Sequence, residues 1–189
     1  IDAPDYETKN TYQITLSVAD DSETTTKEVT ILVTNVNDIA PVFNSDGNYS
    51  AAENQLSIGS VVATDVEGDT ITYSVSGSDL AITNVGVLTF VSAPDYETKN
   101  AYQAIVSAND GVYTSTQAIS ISITNVNDVA PVFTSDATFS ADENQTAIGT
   151  VTATDIEGDA ISYSLQGFLA PLAGEQYAGL SIDSSTGVM

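Results

Sequence analysis

The sequence repeats itself with a period of 90 residues. Residues 3–10 recur as residues 93–100, and residues 35–38 recur as residues 125–128. One period runs from residue 39 to residue 128. We therefore predict the C-terminal part of one repeat in residues 1–38, a complete repeat in 39–128, and the N-terminal part of a third repeat in 129–189.

Within each repeat, apolar and polar residues alternate with a period of two. Tyr12, Ile14, Leu16 and Val18 are separated by single polar residues. This alternation is typical of strands with one buried and one solvated face. About seven such strands for each repeat, separated by turns rich in Gly, Asp, Asn and Pro, predict an all-β antiparallel sandwich, with another all-β barrel as the alternative.

The third repeat carries an insertion. Leu80 matches Leu180 at an offset of 100 rather than 90, so about ten residues have been added near Phe168 and Tyr177. We predict a surface loop there, because the segment contains Pro171, Gly174 and Gly179.

The charge balance excludes several functions. There are 26 acidic residues, three basic residues, a net charge of −23, and no Cys, His or Trp. Disulfides, thiolate or imidazole metal sites and Ser-His-Asp catalysis are therefore excluded. We expect no nucleic-acid partner, because phosphate binding needs basic side chains, and no direct membrane insertion.

The acidic residues concentrate in loops and in the segments that join repeats. Loops of a sandwich gather at its two ends, so these carboxylates are expected to meet at the joints and to repel one another unless cations intervene. With only oxygen ligands available, a hard cation is indicated. Calcium tolerates this geometry better than magnesium, which demands an octahedron. Solvated acidic turns are the alternative, above all for single residues such as Asp69.

The motifs resemble those of cadherin repeats. They include Asp95-Tyr96-Glu97, Asn125-Val126-Asn127-Asp128, Ala52-Glu53-Asn54, Ala63-Thr64-Asp65-x-Glu67 and Ala108-Asn109-Asp110-Gly111. The resemblance covers essentially the whole chain and is to tandem calcium-binding cadherin-like domains, of a bacterial-type surface protein. It implies Greek-key, immunoglobulin-like sandwiches with up to three Ca²⁺ ions at each joint, at the cell surface or outside the cell.

Carried over residue by residue, the resemblance implies two sets of metal ligands. The first joint would use Asp5, Glu7, Asn35, Val36, Asn37, Asp38, Ile39, Asp65, Glu67, Asp69 and Asp110. The second would use Glu53, Asp95, Glu97, Asn125, Val126, Asn127, Asp128, Val129, Asp155, Glu157 and Asp159.

The linkers depart from the family pattern in two places. Asn35 and Asn125 stand where the family usually has Asp, which removes one charge from each site. Ile39 and Val129 stand where it usually has Asn, a position that binds through its carbonyl, so this change is expected to be mild. The absence of Trp excludes the tryptophan exchange by which animal family members adhere.

Two functions follow from the resemblance. The first is a calcium-rigidified extracellular stalk or filament segment that serves adhesion or surface display. The second is a calcium-dependent adhesive module that binds partner repeats or surface polysaccharide, for which only the Phe168–Tyr177 insertion offers aromatic residues. The partial repeats at the two ends lead us to expect head-to-tail partners, either neighbouring copies or neighbouring repeats of a continuous array.

Two chemical alternatives are disfavoured by the sequence. Paired carboxylates occur in glycosidases, but these acids recur with the fold period, so we expect no enzyme. Lys9 and Lys99 each precede an Asn, and Lys and Asn are the two residue types that an intramolecular isopeptide cross-link joins. A buried, uncharged Lys would need an apolar pocket that these polar turns do not offer, so we expect solvated lysines.

Overall fold

The computed structural model describes residues 2–166 and 180–189. Its contacts divide the chain into two units, Ile1–Thr124 and Asn125–Met189. All regular structure in the described residues is β, and they contain no helix long and apolar enough to cross a membrane. The insertion expected near Phe168 and Tyr177 lies outside the described residues.

The first unit begins with a hairpin of two nine-residue strands, β1 (Thr11–Ala19) and β2 (Thr24–Leu32). They pair antiparallel along their whole length, from Thr11 opposite Leu32 to Ala19 opposite Thr24. Asp20 closes the turn, because its Oδ1 accepts the backbone N–H groups of Ser22 and Glu23, both at 2.8 Å. This side chain replaces the backbone partners that the turn lacks.

A four-stranded sheet forms one face of the complete repeat. Its spatial order is β4 (Asn48–Ala52), β11 (Thr114–Thr124), β10 (Ala101–Asn109) and β7 (Thr72–Val75). The two long strands form the central hairpin, while β4 runs parallel to β11 and β7 runs antiparallel to β10. The hairpin β10–β11 is therefore flanked by one shorter strand on each side.

The opposite face is built from shorter strands. The strands β5 (Ser57–Ser60), β9 (Val87–Phe90) and β8 (Leu80–Ile82) form one sheet, and β3 (Val42–Phe43) pairs with β6 (Ala63–Thr64) in another. If β3 is counted with β4 and β5 with β6, seven strands make up the repeat. The predicted all-β sandwich is confirmed.

The core lies between these faces. Leu88, Val61, Val106 and Ile121 are among the largest fully buried side chains, and they come from both faces of the sandwich. The rings of Phe90 and Tyr102 meet edge to face, with centroids 5.0 Å apart, a favoured aromatic geometry. The alternation read from the sequence therefore identifies the inward face of the long strands.

The second unit contains fewer strands than its sequence predicts. Only β12 (Val132–Phe133) and β13 (Ala153–Thr154) pair, with one further bridge between Thr150 and Val188. Tyr163 and Leu165 alternate with Ser residues, as Tyr73 and Val75 do in β7, but residues 161–166 form no strand. In the complete repeat the matching strand β7 is held by β10. The described part of the second unit supplies no such partner, and strands require partners for their backbone groups.

Two glycines with the same backbone conformation test the packing of the complete repeat. Gly77 and Gly86 both have φ of +84°. A Cβ at Gly86 would lie 2.2 Å from the carbonyl oxygen of Val61, whereas a Cβ at Gly77 would meet nothing within 4 Å. Gly77→Ala should cost about 1–2 kcal/mol of unfolding free energy from backbone strain alone.

We expect Gly86→Ala to cost clearly more, because the backbone of Val61 must move as well. Urea unfolding of both variants, followed by tyrosine fluorescence, measures the difference. Equal losses would contradict the close approach of Gly86 to Val61.

Candidate metal centre

The Glu67 carboxylate connects the linker, residues 35–39, to a loop of the complete repeat. Its Oε1 accepts the backbone N–H of Asp38 at 2.8 Å, and its Oε2 accepts that of Ile39 at 3.1 Å. The Asn35 side chain donates to the backbone carbonyl of Glu67 at 3.4 Å. The linker and the loop after β6 are therefore held together by one side chain and one carbonyl.

Asp65 shapes that loop from within. Its Oδ1 accepts the N–H of Glu67 at 2.9 Å and that of Asp69 at 3.2 Å. These two bonds curl the chain so that residues 65, 67 and 69 direct their carboxylates to one side. The alternation of acidic residues in the sequence therefore brings three carboxylates together in this turn.

Asp5 organises the loop that precedes β1. Its Oδ1 accepts the N–H of Glu7 at 3.0 Å, and its Oδ2 accepts the Thr8 hydroxyl at 2.9 Å. The pKa of Asp5 is lowered, chiefly by the Thr8 hydroxyl and then by the Thr8 N–H. Asp5 is therefore held as a carboxylate that positions Glu7.

Asp110 follows β10 at the turn into β11 and is 7% exposed. Its Oδ1 accepts the N–H groups of Val112 and Tyr113, both at 2.7 Å. Burial raises the pKa of Asp110, but the Tyr113 and Val112 N–H groups, together with the Asn37 side chain, outweigh it and leave the pKa below its ordinary value. The group therefore remains charged although it is buried.

Two groups of carboxylates converge around Glu67. We call Glu7, Asp38 and Glu67 the linker cluster, and Asp65, Glu67 and Asp69 the loop cluster. In each cluster, one oxygen from every residue lies within 4.8 Å of the others. Two oxygens that bind one calcium ion at about 2.6 Å can be at most about 5.2 Å apart, so each cluster fits around a single cation.

Three buried oxygens next to these clusters accept no hydrogen bond. They are Asn37 Oδ1, Asp65 Oδ2 and Asp110 Oδ2. A buried carboxylate oxygen without a donor is costly unless a cation binds it. The donor set consists of oxygen atoms only, and three of them are already shielded from water, so it fits a hard divalent cation. Asn37 and Asp110, which the clusters do not contain, are further candidate ligands.

The pKa values of the cluster carboxyls reflect burial first and mutual repulsion second. Burial, followed by Glu67, raises the pKa of Asp38. Burial, followed by the charges of Asp65 and Glu67, raises that of Asp69. The backbone N–H of Glu7 lowers its own pKa, but burial, Asp5 and Glu67 together raise it. Without a cation, the clusters hold excess negative charge.

The other linker residues expected as ligands make contacts that leave their predicted ligand oxygens unassigned. Val36 is exposed. Asn35 uses its side-chain N–H₂ as a donor, and Ile39 contributes its backbone N–H to Glu67. Asn35 and Ile39 therefore help to position Glu67, and the donor of Asn35 is one that an Asp could not supply. Metal binding by Asn35, Val36 and Ile39 stays a prediction.

The first unit also holds part of the second expected ligand set. Glu53 is buried, and its Oε2 accepts the N–H of Tyr96 at 2.8 Å. Asp95 repeats the arrangement of Asp5, because it accepts the N–H and hydroxyl of Thr98, both at 3.0 Å. Glu97 follows in the same loop. These three carboxylates occupy the end of the complete repeat.

The second unit repeats the linker arrangement. Glu157 accepts the N–H of Asp128 at 2.8 Å and that of Val129 at 3.1 Å. Asp155, Glu157 and Asp159 each place one oxygen within 4.8 Å of the others. The linker residues Asn125, Val126 and Asn127 precede Asp128 in this unit. The same sequence has therefore produced the same local geometry twice.

Sequence reasoning missed the groups that hold the carboxylates in place. Thr8, Thr98 and the backbone N–H groups of Val112 and Tyr113 fall into this class. The recurrence of Thr8 as Thr98 was a visible signal. Backbone donors have no such signal, because every residue except Pro carries one.

The lysines lie beside aromatic rings rather than in apolar pockets. Lys9 Nζ is 4.6 Å from the ring centroid of Tyr12, and Lys99 Nζ is 4.1 Å from that of Tyr102. Lys99 also forms an ion pair with Asp79 at 2.7 Å, and the Asp79 hydrogen bond raises its pKa. The expectation of solvated, charged lysines agrees with these contacts.

No protein-family model matches the chain, but individual relatives do. Protocadherin Fat 4 of Mus musculus is 30% identical over 203 residues, which covers 96% of this chain and 4% of the relative. Protocadherin-15 of Homo sapiens is 32% identical over 184 residues, covering 84% of the chain and 9% of the relative. Chitinase A of Pseudoalteromonas piscicida is 32% identical over 128 residues, covering 66% and 16%.

The fold agrees with these relatives. The structure of protocadherin gammaB7 EC3-6 matches with a TM-score of 0.76 and 22% identity, covering 97% of this chain and 52% of that one. Mouse cadherin-23 EC22-24 matches with a TM-score of 0.69 and 24% identity, covering 99% and 65%.

The chain belongs to the cadherin repeat family. This cadherin-like chain spans less than a tenth of the length of the protocadherin relatives named above.

The carboxyl pKa values of the cadherin-like chain predict a specific titration. In calcium-free protein, Glu7, Asp38 and Asp69 should titrate above their ordinary pKa values, and Asp5 and Asp110 below theirs. NMR of the side-chain carboxyl carbons measures these midpoints.

The two groups act oppositely on stability. The three raised carboxyls bind protons more readily in the folded chain, so lowering the pH through their folded pKa values removes a destabilising repulsion. Asp5 and Asp110 stabilise the fold above their unfolded pKa, and this contribution is lost as the pH falls through their lowered values. Glu67→Gln should move Asp38 towards its ordinary pKa, while Asp20, which is remote in sequence and held by its own turn, should not change.

Proposed function

We propose that the linker and loop clusters bind Ca²⁺, and that calcium stiffens the junction between the hairpin β1–β2 and the complete repeat. The observation that carries this proposal is the set of buried, unpartnered oxygens on Asn37, Asp65 and Asp110 beside the two clusters. When bound, calcium supplies the positive charge that these oxygens lack. The chain supplies a prearranged set of ligands.

Calcium is favoured over magnesium by the ligands themselves. The two clusters share Glu67. Their candidate ligands are carboxylates and the Asn37 amide oxygen, which differ in how deeply they are buried. Calcium accepts six to eight oxygens in flexible geometry, whereas magnesium needs a strict octahedron and retains its waters. Up to three ions at each joint remains our expectation.

The wider role that we propose is a segment of an extracellular stalk or filament that serves adhesion or surface display. The protocadherin relatives support an adhesive cadherin-like module. Partner repeats of the same kind are therefore the proposed binding partners. Surface polysaccharide stays a prediction, since its candidate aromatic residues, Phe168 and Tyr177, lie outside the described residues.

We also propose that the chain has no catalytic role, although Chitinase A is among its relatives. The cluster carboxylates recur with the repeat. Asp5, Asp65 and Asp110 are each engaged by neighbouring N–H groups of their own loop. A ligand set repeated in this way is better explained by structural cations than by catalysis.

Calcium binding is tested by calorimetric titration of the chain. We expect dissociation constants in the extracellular range, about 10⁻⁵ to 10⁻³ M. Asp65→Asn and Asp155→Asn are matched variants, one in each set. Each should remove binding at its own set and leave the other intact. A chain that binds no calcium at about 10 mM, above the range of extracellular modules, would contradict the proposal.

Stiffening is tested by distance measurements between two spin labels within the first unit. The chain has no cysteine, so Thr26→Cys on the hairpin and Asn84→Cys on the complete repeat give unique labelling sites, and both positions are exposed. Calcium should narrow the distance distribution, and a chelator should broaden it, because repulsion within the clusters then acts unopposed.

Glu67→Gln should abolish the calcium effect on this distribution, because Glu67 belongs to both clusters. Glu157→Gln, its counterpart in the second unit, should leave the effect unchanged. Equal widths with and without calcium would remove the stiffening role, even if the ions bind.

A further inference from the structure

Tyr73 connects the two faces of the complete repeat next to the loop cluster. It lies in β7 of the four-stranded sheet, and its hydroxyl accepts the backbone N–H of Ala63 in β6, on the opposite face, at 2.8 Å. Its side chain is half-buried and packs against the core. Asp65, which shapes the loop cluster, follows Ala63 by two residues. The hydroxyl therefore binds the chain just before it enters the candidate metal centre.

The Ala63 N–H points away from the strand that pairs with β6. The carbonyl of Val62 accepts the N–H of Asn44, at the end of β3, at 2.8 Å. Because consecutive residues of a strand direct their backbone groups to opposite edges, the N–H of Ala63 lies on the other edge of β6. Among the described residues, β6 pairs with β3 alone. The Ala63 N–H therefore needs an acceptor other than a strand, and the Tyr73 hydroxyl supplies it.

A glycine allows the ring and the strand to approach each other. The Val61 N–H, on the same edge as that of Ala63, donates to the carbonyl of Gly86 at 2.8 Å. A Cβ at Gly86 would lie 2.2 Å from the Val61 carbonyl oxygen and 3.5 Å from the Tyr73 ring. Gly86 and Tyr73 therefore fix this edge of β6 at two successive points, and the second of them is the last before Asp65.

The backbone of Tyr73 is paired with the strand that leads to Asp110. Tyr73 lies opposite Ala108 in the antiparallel pairing of β7 with β10. Asp110 follows Ala108 by two residues, just as Asp65 follows Ala63. One residue therefore binds both segments two positions before a candidate ligand, one through its backbone and the other through its hydroxyl.

The relative position of these two loops is what a shared cation would depend on. Asp65 and Asp110 carry two of the three buried oxygens without a hydrogen-bond donor, the Oδ2 atom in each case. Each Oδ1 atom already accepts N–H groups of its own loop. Each loop is thus held within itself, so the placement of one Oδ2 atom relative to the other depends on how the two loops are joined.

The hydroxyl bond recurs in the second unit. The Tyr163 hydroxyl accepts the N–H of Ala153 at 3.1 Å. Asp155 follows Ala153 by two residues, and its Oδ1 accepts two N–H groups of its own loop, as that of Asp65 does. Residues 161–166 form no strand. The bond therefore does not depend on the strand pairing that surrounds it in the complete repeat.

The glycine recurs as well. The Val151 N–H donates to the carbonyl of Gly187 at 2.9 Å. A Cβ at Gly187 would lie 2.2 Å from the Val151 carbonyl oxygen and 3.4 Å from the Tyr163 ring. Gly86 and Gly187 also share a left-handed backbone, with φ of +84° and +69°. The tyrosine, the glycine and the acidic loop thus form one local arrangement that the chain contains twice.

We propose, building on the calcium binding proposed above, that the Tyr73 hydroxyl is a positioning group for the first ligand set. It fixes the loop of Asp65 relative to Asp110, so that both present their Oδ2 atoms to one cation without further rearrangement. Tyr163 fixes the start of the Asp155 loop in the same way. The two hydroxyls belong to neither cluster, and they act through the backbone that carries the ligands.

Tyr73→Phe removes the hydroxyl and keeps the ring. Loss of a group that orients metal ligands weakens metal binding by about 10- to 100-fold. Tyr73 acts through the backbone, so we expect the lower end, about 10-fold weaker calcium binding at the first ligand set. Calorimetric titration in an Asp155→Asn background, which leaves the first set intact, measures this change.

Tyr163→Phe is the matched variant of the second unit. It should weaken the second ligand set, measured in an Asp65→Asn background, and leave the first set unchanged. Tyr49→Phe is the control, because its hydroxyl donates to the Ser60 carbonyl at 3.3 Å rather than accepting the Ala63 N–H. It should leave both sets unchanged. Equal weakening by Tyr49→Phe and Tyr73→Phe would overturn the proposal.

Unfolding in two conditions separates positioning from simple stabilisation. The slowest-exchanging amides of β10 and β11 report the free energy of unfolding of the complete repeat. Tyr73→Phe should lower this free energy more in saturating calcium than in chelator, because a bound ligand stabilises according to its affinity. A 10-fold loss of affinity corresponds to about 1.4 kcal/mol for each ion. Equal losses in both conditions would leave Tyr73 a structural role only and overturn the proposal.

The unaltered chain offers a test that needs no variant. Coupling is reciprocal, so calcium must favour the Ala63 hydrogen bond by the factor by which that bond favours calcium, about 10-fold. Hydrogen exchange of the Ala63 N–H should therefore be slower by this factor with calcium than with chelator. The Ser76 N–H, which donates to the Ile105 carbonyl at 2.9 Å beyond the far end of β7, is the control and should not respond. An Ala63 rate that calcium does not change would overturn the proposal.

Failure of this proposal is distinguishable from failure of calcium binding itself. If the unaltered chain binds calcium and Tyr73→Phe binds it equally well, the positioning role is wrong and the calcium site stands. If the unaltered chain binds no calcium, the proposed function is wrong, and the positioning role is overturned with it.

Discussion

Two backbone N–H groups donate hydrogen bonds to the Glu67 carboxylate, and these bonds organise the candidate metal centre. Both of its oxygens are engaged by the linker, at Asp38 and Ile39, while the same carboxylate belongs to both acidic clusters. Because a carboxylate has several lone pairs, it can accept these bonds and still face a cation. The carboxylates of Glu7 and Asp38 on one side, and those of Asp65 and Asp69 on the other, are placed around this single point.

Most of the candidate site could be predicted from the repeat. The repeat and the family motif predict Asp65, Glu67 and Asp110 as ligands, and the structure puts the first two in one loop and buries the third. The depth of Asp110, and its unpartnered Oδ2, could not be predicted. Burial depends on how the turn after β10 packs, which is a property of the tertiary structure rather than of the local sequence.

The limits of the fold prediction have a similar cause. Tyr163 and Leu165 follow the same alternation as Tyr73 and Val75, yet only the latter pair lies in a strand. The alternation indicates which face of a segment would be buried, but a strand forms only where a neighbour supplies its hydrogen bonds. That neighbour, β10, comes about 30 residues later in the complete repeat, so a local pattern cannot report its presence or absence.

The parallel pairing of β4 with β11 has a mechanical consequence. The strand by which the chain enters the complete repeat lies beside the strand by which it leaves, and five residue pairs join them, from Asn48 with Ser120 to Ala52 with Thr124. Glu53 N–H extends the ladder by donating to the Thr124 carbonyl at 3.2 Å. A tensile force along the chain pulls two parallel neighbours in opposite directions along their length. These hydrogen bonds are therefore loaded in shear and must break together, whereas a hairpin pulled from its open end would unzip one bond at a time.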